Sequence, residues 1–472
     1  MKRYEAYAES IAQRIRSGSL KPGDRLPSVR EARGQQGLSA STVFSAYYLL
    51  ETQGLVEARA RSGYYVLCPP GRNEPEPGAS EPLIHSMAVD VSALVFQVLA
   101  QARQRELVPL GSAFPSPTLF PLEALARGMG RAMRAMDPWR TVEDMSPGNG
   151  ELRHQISLRY GVAGIDVPPS EIVVSNGAME ALNLCLEVST QPGDVVAIET
   201  PCFYAALQAL ERRGLRAVEV ETHPRTGVDL NSLQRVLAQH PVKACWFMPT
   251  FQNPMGGTMP DQAKASMVDM LSARGIPLIE DDVYGELHHG PRRPPPAKAW
   301  DREGWVMHCS SFSKSLAPGY RVGWVAGGRF ATELGRHKLM NSLAAALPSQ
   351  LALQEFLQQN SFDRHLRSLR HALGRQQASA LRVIEREFPA GTRVTRPEGG
   401  YFLWVELPDA VDALEVHRRA MACGIGVAPG HLFSADQRYR HHLRINHGYP
   451  GDTRFEPALC SLGRIISELA EQ

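Results

Sequence analysis

No run of roughly 18 consecutive apolar residues occurs in the 472-residue chain, so no transmembrane helix is expected. No two of its seven cysteines form a Cys-x-x-Cys pair, which argues against a zinc ribbon or a thioredoxin-type centre. Their odd number and wide scatter fit free thiols in a reducing compartment. Neither sign of charge dominates, with 51 Lys and Arg against 49 Asp and Glu. The total therefore points to no polyanionic partner, although a basic module can sit inside a balanced whole. Internal repeats are absent too. Met1 to Glu5 lead into an amphipathic rather than apolar stretch, which argues against a signal peptide and makes the cytoplasm the expected location. At 43% hydrophobic and 21% charged, the composition is that of a soluble globular protein. The length suits about three domains at roughly 150 residues each, or a large α/β domain with a small appendage.

Proline is concentrated rather than scarce. Pro69 to Pro82 holds five prolines and two glycines in fourteen residues, which reads as a semi-stiff linker. It divides a front piece, residues 1–68, from a long remainder that begins at 85. Residues 1–67 carry ten Lys or Arg against six Asp or Glu, so this piece is basic within the neutral whole. Tyr4, Ala8, Ile11 and Ile15 recur at helical spacing. Ser28-Val29-Arg30-Glu31 matches a capping box. Ser39 can cap a third helix with a buried stripe of Val43, Ala46, Tyr47 and Leu50. Leu55–Ala58 and Tyr64–Leu67 read as two strands joined by a basic turn.

Helix, helix-turn-helix and basic-tipped wing suit DNA. Ala40, Ser41, Thr42 and Ser45 point outward from the first turns of the third helix, where small hydroxyl side chains can meet phosphates or base edges. Arg59 and Arg61 at the wing tip can neutralise phosphates. A protein-interaction module with a solvated basic face is the alternative. The run Gly18-x-Leu20-x-Pro22-Gly23-Asp24-x-Leu26-Pro27-Ser28-x-Arg30-Glu31, then Ser39-x-x-Thr42-Val43, Gly54-Leu55-Val56 and Ser62-Gly63-Tyr64-Tyr65-Val66, resembles the GntR-type winged helix-turn-helix. The resemblance implies DNA contacts from Arg30, Ser39, Ser41, Thr42, Arg59 and Arg61. Two positions depart from that family. Ala32-Arg33 replaces the usual Leu-Ala, and Ala40 replaces a frequent arginine, which removes a phosphate or base contact.

Beyond residue 85, helical patterns alternate with short apolar runs at Glu171–Ser175, Asp194–Glu199, Ala217–Glu221, Ala244–Phe247, Pro277–Glu280, Trp305–Cys309 and Gly323–Ala326. This predicts an α/β domain with a mainly parallel central sheet, whose ligand crevice lies just past the strand ends. Four constellations sit there. Ser311-Phe312-Ser313-Lys314, followed by Arg321, offers a lysine able to form a Schiff base. Arg321 disfavours its protonation, and Ser311, Ser313 and Arg321 suit a phosphate. Ser175-Asn176-Gly177-Ala178-Met179 runs a strand into a helix N-terminus, a phosphate-binding geometry. Glu280-Asp281-Asp282-Val283-Tyr284 places a carboxylate that needs a cationic partner, such as a protonated pyridine nitrogen. Phe251-Gln252-Asn253-Pro254 supplies an amide for a ring oxygen. Each alone is an ordinary lysine, turn or cap.

Together and in this order they resemble the aspartate-aminotransferase-like, fold type I family. That resemblance implies pyridoxal 5′-phosphate on Lys314, with Asp281 on the pyridine nitrogen and Asn253 and Tyr284 on the ring oxygen. Gly177, Ala178, Met179, Ser311, Ser313 and Arg321 would hold the phosphate. Phe203, or as second choice Tyr204, would stack on the ring, and Arg444 would clamp a substrate carboxylate. It also implies a smaller C-terminal α+β subdomain from about 345 to 472. Family members often have a tyrosine shortly before the Gly148-Asn149-Gly150-Glu151-Leu152-Arg153 motif, and Thr141 to Pro147 contains none. The two pieces in one chain resemble the MocR subfamily of GntR regulators, with Pro201-Cys202-Phe203-Tyr204 and Cys309 to Lys314 similar to YdcR-like members. This implies a homodimeric, often head-to-tail transcription factor sensing pyridoxal phosphate, an amine or an amino acid. The alternative is an active aminotransferase with an accessory DNA-binding module.

Overall fold

The computed structural model describes residues 2–59, 62–67, 75–83, 85–101, 106–359 and 361–472. In the front module α1 (Arg3–Arg16) buries Ala8, Ile11, Ala12 and Ile15. The second helix, α2 (Val29–Gln36), opens on the expected capping box: Glu31 N donates to Ser28 Oγ at 3.2 Å and Ser28 N to Glu31 Oε2 at 2.7 Å. Gly37 closes it in the left-handed region, where glycine carries no steric cost. Ser39 caps α3 (Ala40–Thr52), accepting from Thr42 N at 3.1 Å. All four residues of the expected stripe, Val43, Ala46, Tyr47 and Leu50, are fully buried. The hairpin β1 (Val56–Arg59) and β2 (Gly63–Val66) completes the module. Arg61 lies outside the described residues.

The large piece is built on a mixed sheet. From Arg216–His223 the order runs through Val195–Thr200, Val242–Phe247, Leu278–Asp281 and Val306–Ser311, all parallel. Gly323–Ala326 then runs antiparallel to both its neighbours, Val306–Ser311 and Ile172–Ser175. Their side chains are nearly all buried, because helices cover both faces. A second, antiparallel sheet joins Arg393–Val394, Phe402–Glu406, His442–Asn446 and Ala428–Pro429. The helices Ser361–Glu387 and Phe455–Ala470 share a hydrophobic cluster with it.

Residues 75–83 of the proline-rich stretch lie along the large piece. Val394 N donates to Pro75 O, Arg396 N to Glu76 Oε1, and Leu83 N to Glu219 Oε2. The front module packs against the helix Ser361–Glu387 through the C-terminal half of α3: Tyr48 stacks on His371 with ring centroids 4.3 Å apart.

Candidate cofactor pocket and nucleic-acid interface

The parallel strands end on one side of the sheet, and the turns that follow them converge there. Lys314 follows the strand Val306–Ser311. Its Nζ donates to Ala113 O at 2.8 Å and lies 3.6 Å from the centroid of the Phe114 ring. Burial, then Arg444 and Arg321, push this amine down to about 7, against a smaller opposing pull from Asp281. The expected influence of Arg321 is present, but burial leads.

Asp281 closes the strand Leu278–Asp281 and is 2% exposed. Burial, then the neighbouring Asp282, push its carboxyl up to about 7. Its Oδ1 is buried without a hydrogen-bond partner among the described residues. Such an orphan is costly unless a ligand satisfies it. Asp282 faces the other way, into a buried network. Trp324 Nε1 donates to Tyr160 Oη at 3.0 Å, and Tyr160 Oη lies 2.6 Å from His308 Nδ1. The Asp282 carboxylate can only accept, so His308 Nε2–H donates to its Oδ2 at 3.0 Å, and in the neutral ring Nδ1 is left to accept from Tyr160 Oη. Burial pushes Asp282 up, but Arg293 and His308 outweigh it and hold this carboxyl low. Two adjacent acids thus differ in environment: Asp282 Oδ2 is held by Arg293 and His308, whereas Asp281 has no cationic side chain bonded to it among the described residues, and the Oδ1 of each lacks a hydrogen-bond partner there.

Asn253 Nδ2 lies 3.4 Å from Tyr284 Oη, and its Oδ1 accepts from Arg444 Nη1 at 3.1 Å. Arg444 is fully buried, and no carboxylate pairs with it among the described residues. Its Nη2 donates to Gly111 O at 2.8 Å, its Nε has no partner, and the Phe402 ring lies 4.2 Å from the guanidinium carbon. Tyr204 is buried against Phe433, whereas Phe203 is half-buried, with the two ring centroids 4.8 Å apart.

On the opposite rim, Gly177 sits at φ +89° before the helix Ala178–Ser189. The backbone N–H groups of Ala178 and Met179 open that helix without a side-chain cap. Arg321 Nη1 donates to Ser313 Oγ at 3.2 Å and its Nη2 to Asn176 O at 3.3 Å, while Ser313 N donates to Ser311 Oγ at 3.3 Å. A Cβ on Gly323 would fall 2.6 Å from Ala178 N, so only glycine lets this strand approach the turn. The residues expected around a phosphorylated ring lie on turns, strand ends or helix starts of this one region, and Arg444 reaches it from the middle of the strand His442–Asn446.

Sequence reasoning missed the segment Gly111 to Phe114, whose carbonyls engage the pocket's cations. It also missed Asn446, which donates to Ser112 O and Phe114 O at 2.8 Å, and Tyr401, which donates to Ala113 O at 3.0 Å. A signal for Asn446 was available: residues 444 and 446 of one strand share a face.

On the front module, Arg30, Ser39, Ser41 and Arg59 are exposed and Thr42 is half-buried. The Ser39 hydroxyl is spent on the cap, 2.8 Å from both Ser41 Oγ and Thr42 Oγ1. Arg59 Nε donates to Glu57 Oε1 at 2.6 Å, with its guanidinium over Tyr65.

Residues 3–66 match the bacterial regulatory proteins of the gntR family, and residues 125–453 match the aminotransferase class I and II family. The chain is 44% identical over 468 residues to YdcR of Escherichia coli strain K12, an uncharacterized HTH-type transcriptional regulator, covering 99% of this chain and 100% of YdcR. It is 35% identical to YjiR of the same organism, another uncharacterized HTH-type transcriptional regulator, with both chains fully covered. Among solved structures, it is similar to LysN, an α-aminoadipate aminotransferase from Thermus thermophilus complexed with N-(5′-phosphopyridoxyl)-L-leucine. The TM-score is 0.72 at 28% identity, over 81% of this chain and 100% of LysN. The aminotransferases of this fold are pyridoxal-phosphate-dependent. No helix among the described residues is long and apolar enough to cross a membrane. A DNA-binding winged helix-turn-helix thus precedes a fold type I aminotransferase-like domain, and the chain belongs to the MocR subfamily of GntR-type transcriptional regulators.

Proposed function

We propose that this regulator binds pyridoxal 5′-phosphate at Lys314 and senses the cofactor itself or an amine or amino acid through it. The observation that carries this reading is the buried, partnerless Oδ1 of Asp281, in one pocket with the depressed amine of Lys314. The residues fit the group. Asp281 would take the pyridine nitrogen, Asn253 and Tyr284 the ring oxygen, and Phe203 or Tyr204 the ring face. The N–H groups of Ala178 and Met179 beside Gly177, with Ser311, Ser313 and Arg321, would take the phosphate. The bound group supplies an aldehyde carbon exchangeable between Lys314 and an incoming primary amine. With a pKa near 7, Lys314 presents a substantial fraction of neutral, nucleophilic amine at neutral pH. Arg444 would bind an effector carboxylate in a bidentate pair, replacing its contact with Gly111 O. Ala113 O accepts from the lysine amine whenever it is free.

We assign the boundaries as 1–68, 69–84 and 85–472, and place the protein in the cytoplasm as a homodimer. Trp139 (70% exposed), Met145, Met340 and Leu343 are exposed apolar side chains of the large domain, of the kind a second copy would cover. Effector binding biases how the two front modules are presented, by no more than its differential affinity for the two arrangements.

Footprinting of the full-length protein on its own upstream DNA, with and without pyridoxal phosphate, tests the reading. A protection pattern that responds to the cofactor is expected. The complete ring-handling set favours a second reading, a working aminotransferase. Sustained keto-acid production from an amino-acid panel would support that reading, whereas a spectral change that stops without product supports the sensor.

A further inference from the structure

The helix Ser361–Glu387 lies beside α3 and outside the gntR-family module. Tyr48 Oη donates to Arg367 O at 3.0 Å. Glu51, 5% exposed, faces His371 and Arg375 at 3.4 Å each. A Cβ on Gly54 would fall 2.3 Å from Ala378 Cβ. Positions 48, 51 and 54 thus meet 367, 371–375 and 378, so the two helices run side by side in the same direction. Advancing toward the start of α3, at about 1.5 Å per residue on both helices, brings Ser45 and Ser41 alongside the first turns of the long helix. Arg367 lines the same crevice as Phe44 and Ser45.

These first turns are basic. Arg370 is taken by Glu286, to which its Nη2 donates at 2.9 Å, and Arg375 by Glu51. Asp363, the only acid of the segment 361–375, pairs with Arg159. Arg364 and Arg367 remain exposed, one turn apart, and neither forms an ion pair among the described residues. Arg367 borders Phe44 and Ser45 of α3, and Arg364 lies one turn nearer the start of the long helix. The contact with α3 uses its C-terminal half, leaving Ser41 and Ser45 exposed. A helix lying in a major groove has a phosphate strand along each flank.

We propose that Arg364 and Arg367 bind the phosphate backbone flanking the groove that α3 enters, so that the aminotransferase-like domain is itself part of the duplex-binding surface. The proposal rests on the reading of α3 as the groove-entering helix. Glu51 and Tyr48, clamped on the long helix, fix the geometry between the two contact sets.

The test uses the full-length protein and a fluorescent duplex from its own upstream region, with anisotropy titrations across a salt series. R364Q/R367Q is compared with R336Q/R418Q, which removes the same charge from exposed positions elsewhere. The first pair is expected to lower the slope of log K against log salt by about 2 and to weaken binding about tenfold at moderate salt. The control pair should leave the slope unchanged, and both should keep the parent's cofactor absorbance and melting temperature. An unchanged slope in R364Q/R367Q overturns the proposal while leaving the DNA reading intact. Tighter binding overturns it too, by showing that the long helix masks α3. If the parent binds no duplex, the reading of α3 falls and the proposal falls with it.

Discussion

The pocket and the DNA face both gather charge, but they declare their ligands to different degrees. In the pocket the charges are buried. Among the described residues Arg444 has no carboxylate partner and Asp281 Oδ1 has no donor. Desolvation makes an unmatched group there expensive, so Asp281 Oδ1 and the Arg444 guanidinium are places where a ligand can supply the complement. The list of unmatched groups is close to a description of the ligand: an acceptor for Arg444, a donor for Asp281, a small anion beside Gly177. On the front face Arg30, Ser41 and Ser45 are exposed, and water satisfies them at no cost. Only sign, spacing and continuity remain to read. A buried site specifies its partner by what is missing, and an exposed one by what is added.

On this contrast, changes to the unmatched groups of the pocket should act in large steps, and changes on the face as small increments. The largest effect is expected from Lys314→Ala, which should abolish the absorbance of lysine-bound cofactor on titration with pyridoxal phosphate. Persistence of that band would put the covalent site elsewhere. Next comes Asp281→Asn, which should weaken cofactor binding by about a hundredfold, the scale of one charge-assisted hydrogen bond. The same change should stabilise the apoprotein. Asp281 moves from 3.8 to about 7 on folding. The folded state therefore holds a proton that the unfolded state releases between those values, and stability is lost as pH rises from about 4 through about 7. The upper bound of that loss is roughly 4 kcal/mol. Urea unfolding of the cofactor-free protein should show the variant gaining at pH 8 and little changed at pH 4. An equal gain at both would mean that the carboxyl does not titrate in this window.

A smaller effect follows from Lys314. Its amine must be neutral to attack an aldehyde, and its pKa is lowered from 10.5 to about 7. The rate of cofactor loading should rise through pH 7 and level off by about pH 8, followed by stopped-flow absorbance. Arg321→Gln removes one of the charges responsible, so the midpoint should move up, by less than removal of the burial itself would produce. A midpoint unmoved in that variant would leave burial and Arg444 as the whole cause.

The same contrast explains what the sequence could disclose. The strand positions were legible because buried parallel strands are short apolar runs between helical patterns, and Gly323–Ala326 was placed to the residue. Its antiparallel direction was not, since nothing in four apolar residues encodes which way a neighbour runs. Lys314, Asp281, Asn253 and Tyr284 stood out through local spacing after a strand, whereas Arg444, in the middle of the strand His442–Asn446, entered only through the family resemblance. The Gly111 to Phe114 segment did not, because it acts through backbone carbonyls, which any residue provides. The Tyr160–His308–Asp282 chain joins three separate elements and has no local pattern at all. The closeness of Ser361–Glu387 to α3 was equally illegible, because it is a tertiary contact between distant parts of the chain.

The smallest expected change lies at the wing. Arg59 is exposed, but its Nε already donates to Glu57 and its guanidinium stacks on Tyr65. An exposed pair of this kind contributes little stability, so Arg59→Gln should not alter folding. It should still remove part of one phosphate contact. Because Glu57 offsets some of the charge beforehand, the salt slope should fall by less than the full increment of about 1 that an unpaired arginine gives. Glu57→Gln should do the reverse and tighten duplex binding slightly. Anisotropy titrations of both variants decide it: a loss at Arg59 as large as that of the Arg364 and Arg367 pair would mean that Glu57 does not offset the charge and that the wing contributes to the backbone contacts as much as the long helix does.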